Sequence, residues 1–357
     1  MRDSAGELRL PARSMGVPRP IRVCYVVSAT GWDRFAQMAC VSASLLRRWH
    51  PDAHITVLAD EVTHATWERQ RNGLIEVVDE VVCAETGRLP TAAHRNRFLK
   101  TTMRQRLRGD FVYLDADAIP LGPIDQLLHQ TEPLGAALEQ NTKLEHHFFP
   151  SDMPGFYEGL GWRHPALPYF NAGVLVVRDC PEAYDLFERW HSKWQQSSSR
   201  TGRHQDQPAM NSAIFDSGCR VCILDSSFNS MISYFFKPWL FRGARIAHFF
   251  AANVIEGTIL DHLVKHLADA NEIDWLALDA CRRQGHPWAN GGEPWQLWRS
   301  RNHVRALWRK IERIVTARRA PAQRSDGTFE SRTPQHFADV PGIHERQPTN
   351  PERQNIA

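Results

Sequence analysis

Two aspartates that follow a short apolar run are spaced to hold a divalent cation together. They are Asp115 and Asp117 in "FVYLDADAIP", residues 111–120. The run 111–114 predicts a strand buried on both faces. Residues two apart on a strand project from the same side, so the two carboxylates converge where the strand leaves the core. Carboxylates held that close repel each other and need a cation or a shared proton. Their oxygens favour Mg²⁺ or Mn²⁺, and such an ion typically bridges to phosphate oxygens.

The motif by itself does not separate a metal site from a turn in which an aspartate hydrogen-bonds its own backbone. Its position directly after an apolar strand favours the metal site.

Strands and helices alternate along the chain that must position these aspartates. The predicted strands are 21–29, 54–60, 111–114, 170–178 and 245–250, the last as a core strand. Helices are predicted at 35–49, around Trp67, at 95–107 and from Pro181. This alternation predicts an α/β fold with a mainly parallel, Rossmann-like sheet flanked by helices, whose ligands lie beyond the carboxyl ends of the strands.

Composition excludes several classes of protein. The net charge of the 357 residues is only +3, so the chain is not a general polyanion binder, and no aromatic-and-basic sheet motif or zinc spacing predicts nucleic-acid binding. Seven cysteines among apolar neighbours predict buried thiols in a reducing compartment. Cys219 and Cys222 face opposite sides of a predicted strand and cannot share one ion. No apolar run is long enough to span a membrane and no signal peptide is recognisable, so we expect a cytoplasmic protein.

Four stretches follow the two aspartates in an order that resembles a known family. They are "YFNAGVLVVR" (169–178), "RHQDQPAMNSAI" (203–214), "LDSSFN" (224–229) and "IAHFF" (246–250). Together they resemble the retaining glycosyltransferases of family 8, which have the GT-A fold and include glycogenin and bacterial lipopolysaccharide galactosyltransferases. The resemblance covers roughly residues 21–250.

The resemblance implies a role for each matching residue. Asp115, Asp117 and His248 would bind Mn²⁺ or Mg²⁺. Asn171 would contact the donor sugar, and Gly173 would keep its approach open. Asp206 and Gln207 would line the sugar and its reacting face, and the implied catalytic residues are Gln207, Asp206 and Asn171.

The start "VVSATGWDRFAQ" is similar to the family's nucleotide-binding segment. The implied donor-binding residues in this part of the chain and beside the metal are Val27, Ser28, Phe35, Arg97, Lys100 and Ala116. Arg97 and Lys100 would neutralise the diphosphate, or else lie on a solvated helix face. Phe35 would stack on the base, or else pack in the core.

One segment departs from the family pattern. After the metal histidine the family has a glycine and then a lysine that grips the diphosphate, whereas this chain has Ala251 and Val254 at those positions. Lys265 or an arginine elsewhere would have to substitute.

The resemblance and the composition together predict four segments. They are a flexible leader (1–19), a GT-A catalytic domain (20–284), a basic, Trp- and Arg-rich amphipathic helical segment (285–320) and a disordered tail (321–357). In residues 294–319 one helical stripe is apolar, formed by Leu297, Val304, Trp308, Ile311 and Val315. A basic amphipathic helix of this kind lies on an anionic membrane surface, or else packs on the catalytic domain with its arginines in water.

The sequence therefore predicts a metal-dependent, retaining glycosyltransferase. The resemblance implies a nucleotide-diphosphate sugar as donor (a UDP-sugar by default), a glycan or glycolipid as acceptor, and bacterial surface polysaccharide or lipopolysaccharide synthesis as the setting. A catalytically degenerate sugar- or nucleotide-binding protein of the same fold is one alternative. A haloacid dehalogenase-type phosphatase is another, but its aspartates lie near the chain start and precede a Gly or Thr turn, whereas here the motif continues "AIPLG".

Overall fold

A computed structural model describes residues 20–69, 72–142, 153–163, 168–233, 237–250 and 256–319. The predicted leader and tail, together with Ala251 and Val254, lie outside the described residues. The chain divides into two compact units, Met1–Glu312 and Arg313–Ala357. Of the second unit, only the end of one helix is described.

Within the described residues, ten strands form two sheets. They are β1 (Arg22–Val27), β2 (His54–Asp60), β3 (Glu80–Ala84), β4 (Phe111–Leu114), β5 (Ala118–Pro120), β6 (Leu134–Leu138), β7 (Phe170–Val177), β8 (Val221–Ile223), β9 (Ser230–Met231) and β10 (Ile246–His248). Seven of them form the main sheet in the order β3-β2-β1-β4-β7-β6-β8. Every pairing in it is parallel except those of β7, which runs antiparallel to β4 and β6. The predicted α/β fold with a mainly parallel sheet flanked by helices is confirmed.

Helices connect the strands. They are α1 (Arg34–Trp49), α2 (Glu61–Arg69), α3 (Gly73–Val77), α4 (Ala92–Arg106), α5 (Met153–Leu160), α6 (Pro181–Thr201), α7 (Gln207–Ser217), α8 (Ile259–Ala270), α9 (Trp275–Gln284), α10 (Pro294–Arg299) and α11 (His303–Arg319). None of the helices in the described residues combines the length and the apolar character that a bilayer-spanning helix needs.

The core consists of two apolar clusters, and alternate residues of β1 belong to different clusters. Val23 and Val27 join one, and Cys24 and Val26 join the other. Because successive side chains of a strand point to opposite faces, the two clusters cover the two faces of the main sheet. The polar side chains of Asp115, Asp117 and His248 lie close together at the carboxyl end of β4.

The predicted core strand at 245–250 is confirmed, whereas the predicted burial of the cysteines is wrong in part. Residues 246–248 form a buried strand, which pairs in a small second sheet in the order β5-β10-β9. The thiols are also less uniformly buried than expected. Cys24, Cys40 and Cys281 are buried, whereas Cys83 is exposed and the other three are half-buried, and all seven are free. Short edge strands such as β3 and β8 explain the difference, because one of their faces is only partly covered.

The single helix predicted for residues 294–319 is also wrong. The chain breaks at Ser300–Asn302, where Arg301 takes a left-handed conformation (φ 57°) and the Asn302 N–H turns back to the Leu297 carbonyl. Leu297 is fully buried on α10. The other members of the predicted stripe are 41% to 86% exposed, namely Val304, Trp308, Ile311 and Val315. A break without Gly or Pro leaves no signal in the periodicity.

Helix α1 depends on a capping residue that also orders the chain before it. The Asp33 carboxylate accepts hydrogen bonds from the N–H groups of Phe35 (3.0 Å), Ala36 (3.2 Å) and Thr30 (2.7 Å). We expect Asp33→Ala to lower the free energy of unfolding by about 1 kcal/mol, measured by urea denaturation, because two helix N–H groups lose their acceptor. Asp52→Ala, at an exposed aspartate in the turn before β2, is the control and should change it by less than about 0.5 kcal/mol. Equal effects would contradict the capping role.

Candidate metal and donor site

The pairing of strands brings Asp115, Asp117 and His248 together. Asp115 follows β4 directly, and its N–H donates to the carbonyl of Gly173 in β7 (2.8 Å). The chain then passes Asp117 and enters β5, where Ala118 pairs with His248 of β10. The Nε2 atom of His248 consequently lies 3.3 Å from Asp117 Oδ1 and 3.9 Å from Asp115 Oδ2. The three ligand atoms all lie within 4.8 Å of one another.

Basic groups behind the two aspartates balance their charge. The Lys100 ammonium donates to both oxygens of Asp115 (3.0 and 3.3 Å), and the Tyr113 hydroxyl donates to Oδ1. Burial alone raises the pKa of the Asp115 carboxyl, but the charges of Lys100, Arg97 and His248 outweigh it and lower that pKa below its usual value. Asp115 is therefore ionised and available as a ligand at neutral pH.

His248 responds to the same charges in the opposite direction. Burial lowers the pKa of its imidazole, but the charges of Asp117 and Asp115 and the hydrogen bond to Asp117 together outweigh burial, and the net pKa lies above the usual value. Without a cation, a proton on Nε2 can bridge to Asp117. A metal ion would take the place of that proton, as it does when a histidine becomes a ligand.

A chain of amides fixes which nitrogen of His248 faces the aspartates. The Gly173 N–H can only donate, so the Asn171 atom that it meets at 2.9 Å is oxygen. The Asn171 nitrogen then donates to Glu139 (3.0 Å), and the same oxygen accepts from Asn229 Nδ2 (3.0 Å). Asn229 therefore presents its oxygen to His248 Nδ1 at 2.9 Å. The neutral ring carries its hydrogen on Nδ1, which leaves the Nε2 lone pair facing Asp117 and Asp115.

Gly173 makes room for this ring. A Cβ atom built on Gly173 would lie 2.8 Å from both ring nitrogens of His248, closer than real Cβ contacts come. The family-based expectation for Gly173 was an open approach to the donor, but here the absent side chain accommodates the histidine itself.

The donor set suits a divalent cation. Two carboxylates and an imidazole whose other nitrogen is held by an amide form the arrangement found around protein-bound metals. The distances between the ligand atoms leave space for an ion between them.

A cavity of about 300 Å³ opens beside the two aspartates. Its lining includes seven of the predicted donor-binding residues: Val27, Ser28, Phe35, Arg97, Asp115, Ala116 and Asp117. Phe35 is 50% exposed, so the alternative that it packs in the core is wrong. Ser28 is buried and its hydroxyl has no hydrogen-bond partner among the described residues. A polar atom in this position is available to a ligand.

Lys100 lies elsewhere than expected. It does not line the cavity, and at 2% exposure it is not on a solvated helix face either. Its ammonium lies between Asp115 and Asp206, 3.6 Å from the second carboxylate. Arg97 does line the cavity and pairs with Asp206 at 3.0 Å. Lys100 and Arg97, both on α4, thus hold the acidic groups of the site, and of these two only Arg97 can also reach a ligand.

Ion pairs and hydrogen bonds connect the three predicted catalytic residues to the metal cluster. Asp206 is buried and held by Arg97 and Lys100. Gln207 is half-buried, accepts from the Ala172 N–H at 3.0 Å and donates to Glu139 at 2.6 Å. Asn171, in the amide chain, donates to the same oxygen of Glu139.

Sequence reasoning missed Glu139 and Asn229, which orient the predicted residues, and it missed Met38, Asn96 and His204 in the cavity lining. "LDSSFN" was quoted for its family match without a role for its asparagine, and "ALEQN" contains no motif. Lys265, named as a substitute for the missing lysine, pairs with Asp261 at 2.9 Å and does not line the cavity.

No protein-family model and no curated protein matches the chain. Among solved structures it is similar to the galactosyltransferase LgtC in complex with donor and acceptor sugar analogs, with 17% identity over 64% of this chain and 87% of LgtC and a TM-score of 0.44. It is also similar to mouse xyloside xylosyltransferase 1 (16% identity, 66% and 99% of the two chains, TM-score 0.43). A further similar structure is the glycosyltransferase GlyE of Streptococcus pneumoniae TIGR4 (16% identity, 75% and 64%, TM-score 0.45).

These solved structures are all glycosyltransferases. They belong to the class of enzyme that the sequence resemblance predicts. Because the TM-scores are below 0.5, the likeness by itself indicates neither a substrate nor a reaction for this chain.

We expect Asn229→Ala to weaken Mn²⁺ binding by roughly 10- to 100-fold, because the His248 ring loses the partner that fixes its tautomer and orientation. Calorimetric titration of the metal measures the change. Asn72→Ala, which removes the cap of α3 without touching the site, controls for a loss of stability alone. Unchanged affinity in Asn229→Ala would show that the amide chain does not position the histidine.

Proposed function

We propose that the protein is a metal-dependent glycosyltransferase that moves a sugar from a nucleotide-diphosphate sugar to a glycan or glycolipid acceptor. The observation that carries this proposal is a ligand set of two carboxylates and a histidine at the mouth of a cavity with an exposed aromatic ring. A diphosphate needs a cation, and a base needs an apolar surface. The same cavity provides both, with the two aspartates as cation ligands and Phe35 as the apolar surface.

The donor would enter with its base near Phe35 and its diphosphate at the two aspartates. The Phe35 ring is exposed at the cavity, where an aromatic side chain can stack on a nucleotide base. Val27 and Ser28, at the carboxyl end of β1, would contact the nucleoside, and the unpartnered Ser28 hydroxyl is free to hydrogen-bond it. Ala116, between the two aspartates, leaves the backbone open to the phosphates. UDP-sugars are the default donors through the family resemblance.

Asp115, Asp117 and His248 would hold Mn²⁺ or Mg²⁺, which when bound acts as a Lewis acid toward the leaving diphosphate. Arg97 adds a guanidinium at the same cavity, where it can stabilise charge on a phosphate oxygen. Lys100 contributes indirectly, because it keeps Asp115 ionised.

The reacting side of the sugar would face Asp206, Gln207 and Asn171. Both polar atoms of the Gln207 amide are already hydrogen-bonded, to Ala172 N–H and to Glu139, so the amide is oriented and not free to swing. It is a poor nucleophile, and we propose transfer with retention by attack on the same face. The acceptor oxygen bonds to the anomeric carbon as the bond to the leaving phosphate oxygen breaks. The acceptor proton passes to that phosphate oxygen. Asp206, held by two basic residues, would position the sugar.

The phosphatase alternative has less support. It requires Asp115 as a nucleophile, whereas both of its oxygens accept hydrogen bonds from Lys100 and one also accepts from Tyr113. The degenerate binding protein is the alternative that a binding experiment must exclude, because Ala251 and Val254 replace two residues of the family pattern.

We also propose that the enzyme is cytoplasmic and contacts the inner face of the membrane through residues 294–319, which would suit a glycolipid acceptor in bacterial surface polysaccharide or lipopolysaccharide synthesis. Bulky apolar side chains of this segment are exposed, with Val304 at 86%, Trp308 at 62%, Leu307 at 59% and Trp298 at 58%. Arginines lie among them, and Trp with Arg on one helix is typical of membrane-surface helices.

The donor proposal is tested by calorimetry with UDP, GDP and their common sugars, in Mn²⁺ and in EDTA. We expect one nucleotide to bind in Mn²⁺, and binding to fall at least tenfold in EDTA and in Asp117→Ala, because the diphosphate loses its cation. Asp125→Ala, at an exposed aspartate away from the cavity, is the control and should bind as the wild type does. A folded protein that binds none of the nucleotides would favour the degenerate alternative.

The membrane proposal is tested by co-sedimentation with vesicles that contain phosphatidylglycerol. We expect Leu307→Glu to lower the partition coefficient about tenfold or more, because it places a charge on the apolar face of α11. Leu276→Glu, at an 82% exposed leucine of α9, is the matched control and should have little effect. Equal binding of both variants and the wild type would mean that α11 is not the contact.

A further inference from the structure

A second cavity lies where residues 238–243 face the start of α11. It has a volume of about 720 Å³ and shares no lining residue with the cavity beside the aspartates. Four arginines line it: Arg242, Arg301, Arg305 and Arg309. The sequence resemblance assigns no role to any of them.

Few carboxylates accompany these arginines, and within the described residues Glu312 is the one acidic residue that lines the same cavity. Within the described residues, no carboxylate oxygen lies within 4 Å of Arg242, Arg301 or Arg305, and Arg309 has only a long ion pair with Glu312 (3.7 Å). Arg242 instead donates to the Asn302 side-chain oxygen (2.8 Å). Four guanidinium groups beside the one carboxylate of Glu312 leave a net positive charge at the cavity, which would attract an anion.

Two glycines lie against two of the arginines. Gly285 and Gly291 both have positive φ (67° and 74°), and a side chain at either position would collide with an arginine of the cavity. At Gly285 the added Cβ would lie 2.7 Å from Arg242 Nε, and at Gly291 it would meet the Arg309 guanidinium. The left-handed backbone favours glycine at both positions, and the space beside each glycine is occupied by Arg242 or Arg309.

Arg301 is held in an unusual conformation. It has a left-handed backbone, which costs energy for a residue other than glycine. Its guanidinium lies over the Trp239 ring, 4.2 Å from the centroid. This contact fixes the side chain next to the cavity without neutralising its charge.

Two buried polar groups near these arginines have no hydrogen-bond partner in the part of the chain that the structure describes. The Asn302 nitrogen is buried without a hydrogen bond, and Asn302 lines the cavity. His286 is fully buried with Nε2 unpartnered. Burial, and then the charge of Arg305 with smaller contributions from Arg309 and Arg242, lower the pKa of His286 to about 4.

The rim of the cavity is apolar on one side. Val304 and Trp308 both line it, and both are mostly exposed. A charged ligand alone would gain nothing from them, whereas a ligand with a phosphate and a hydrocarbon chain would contact both the arginines and the rim. Arginine suits phosphate because its planar fork donates two parallel hydrogen bonds.

We propose that the cavity formed by Arg242, Arg301, Arg305 and Arg309 binds the phosphate group of a lipid, with the lipid chain against Val304 and Trp308. The site does not depend on sugar transfer. It extends the proposed membrane contact, because a lipid phosphate bound here would hold α11 at the surface of the bilayer. An anionic membrane lipid and a phosphate-linked glycolipid acceptor share this chemistry.

The test is calorimetry on the full chain with dihexanoyl phosphatidic acid below its micellar concentration and, separately, with inorganic phosphate, both in EDTA. We expect the lipid phosphate to bind more tightly than inorganic phosphate, and Arg305→Gln and Arg301→Gln each to weaken its binding about tenfold or more. Arg299→Gln is the matched control, since Arg299 is an exposed arginine of α10 outside the cavity. It should bind as the wild type does.

Several results would overturn the proposal. Equal affinity for the two ligands would mean that a free phosphate, and not a lipid, is recognised. An equal loss in Arg299→Gln would mean that binding follows net charge alone, and binding of neither ligand would exclude the site. Vesicle binding by the same variants distinguishes failure of the phosphate site from failure of the membrane proposal.

The membrane contact would be retained and the phosphate site rejected if Leu307→Glu lowered vesicle binding while Arg305→Gln left phosphatidic acid binding unchanged. Unchanged Mn²⁺ binding in each variant would confirm that the rest of the protein is folded.

Discussion

The repulsion between Asp115 and Asp117 is the constraint on which the rest of the site depends. Two unit charges about 4 Å apart repel by roughly 4 kcal/mol at the effective dielectric of a protein surface. The fold offsets this cost with Lys100 on one side of Asp115 and His248 beside Asp117. Both oxygens of Asp115 are held, and the raised pKa of His248 lets a proton occupy the position where a cation would bind. Without a metal, the charges of Lys100 and protonated His248 therefore offset those of the two aspartates, and a metal ion can replace the proton on His248.

Two features of the topology satisfy this constraint. Because β7 runs antiparallel to β4, its first residues lie at the edge where β4 ends, and Asn171 and Gly173 reach the metal cluster from a distant part of the sequence. The small sheet then brings β10 against β5, which follows Asp117 directly. His248, on β10, therefore reaches the two aspartates from the small sheet and not from the main one. Glu139, after β6, anchors the amide chain that orients its ring.

Much of this arrangement could be predicted from particular residues. The apolar run 111–114 indicated β4 with its correct bounds, and residues 54–60 indicated β2. Matching to the family pattern selected Asp115, Asp117 and His248, whose side chains do converge. The cavity lining could be predicted in part, since Val27, Ser28 and Phe35 follow or lie near the carboxyl end of β1.

Other features could not be predicted, for physical reasons. Glu139 and Asn229 act through hydrogen bonds across long sequence separations, and their types and spacing carry no local signal. Lys100 was expected to face a diphosphate or solvent, yet its ammonium lies in the interior between Asp115 and Asp206, which are far from it in the sequence. The break between α10 and α11 contains neither Gly nor Pro. Periodicity alone therefore assigned the buried Leu297 of α10 to the same helical stripe as the exposed apolar residues of α11.

The most direct test of the central claim is a crystal grown with Mn²⁺ and measured at a wavelength where manganese scatters anomalously. We expect one strong anomalous peak between Asp115, Asp117 and His248, about 2.0–2.3 Å from His248 Nε2 and from an oxygen of each aspartate. In Asn229→Ala crystals the peak should weaken while the two aspartates stay in place. Lack of a peak at this position at millimolar Mn²⁺, with the three side chains ordered as described, would contradict the metal site and with it the proposed reaction.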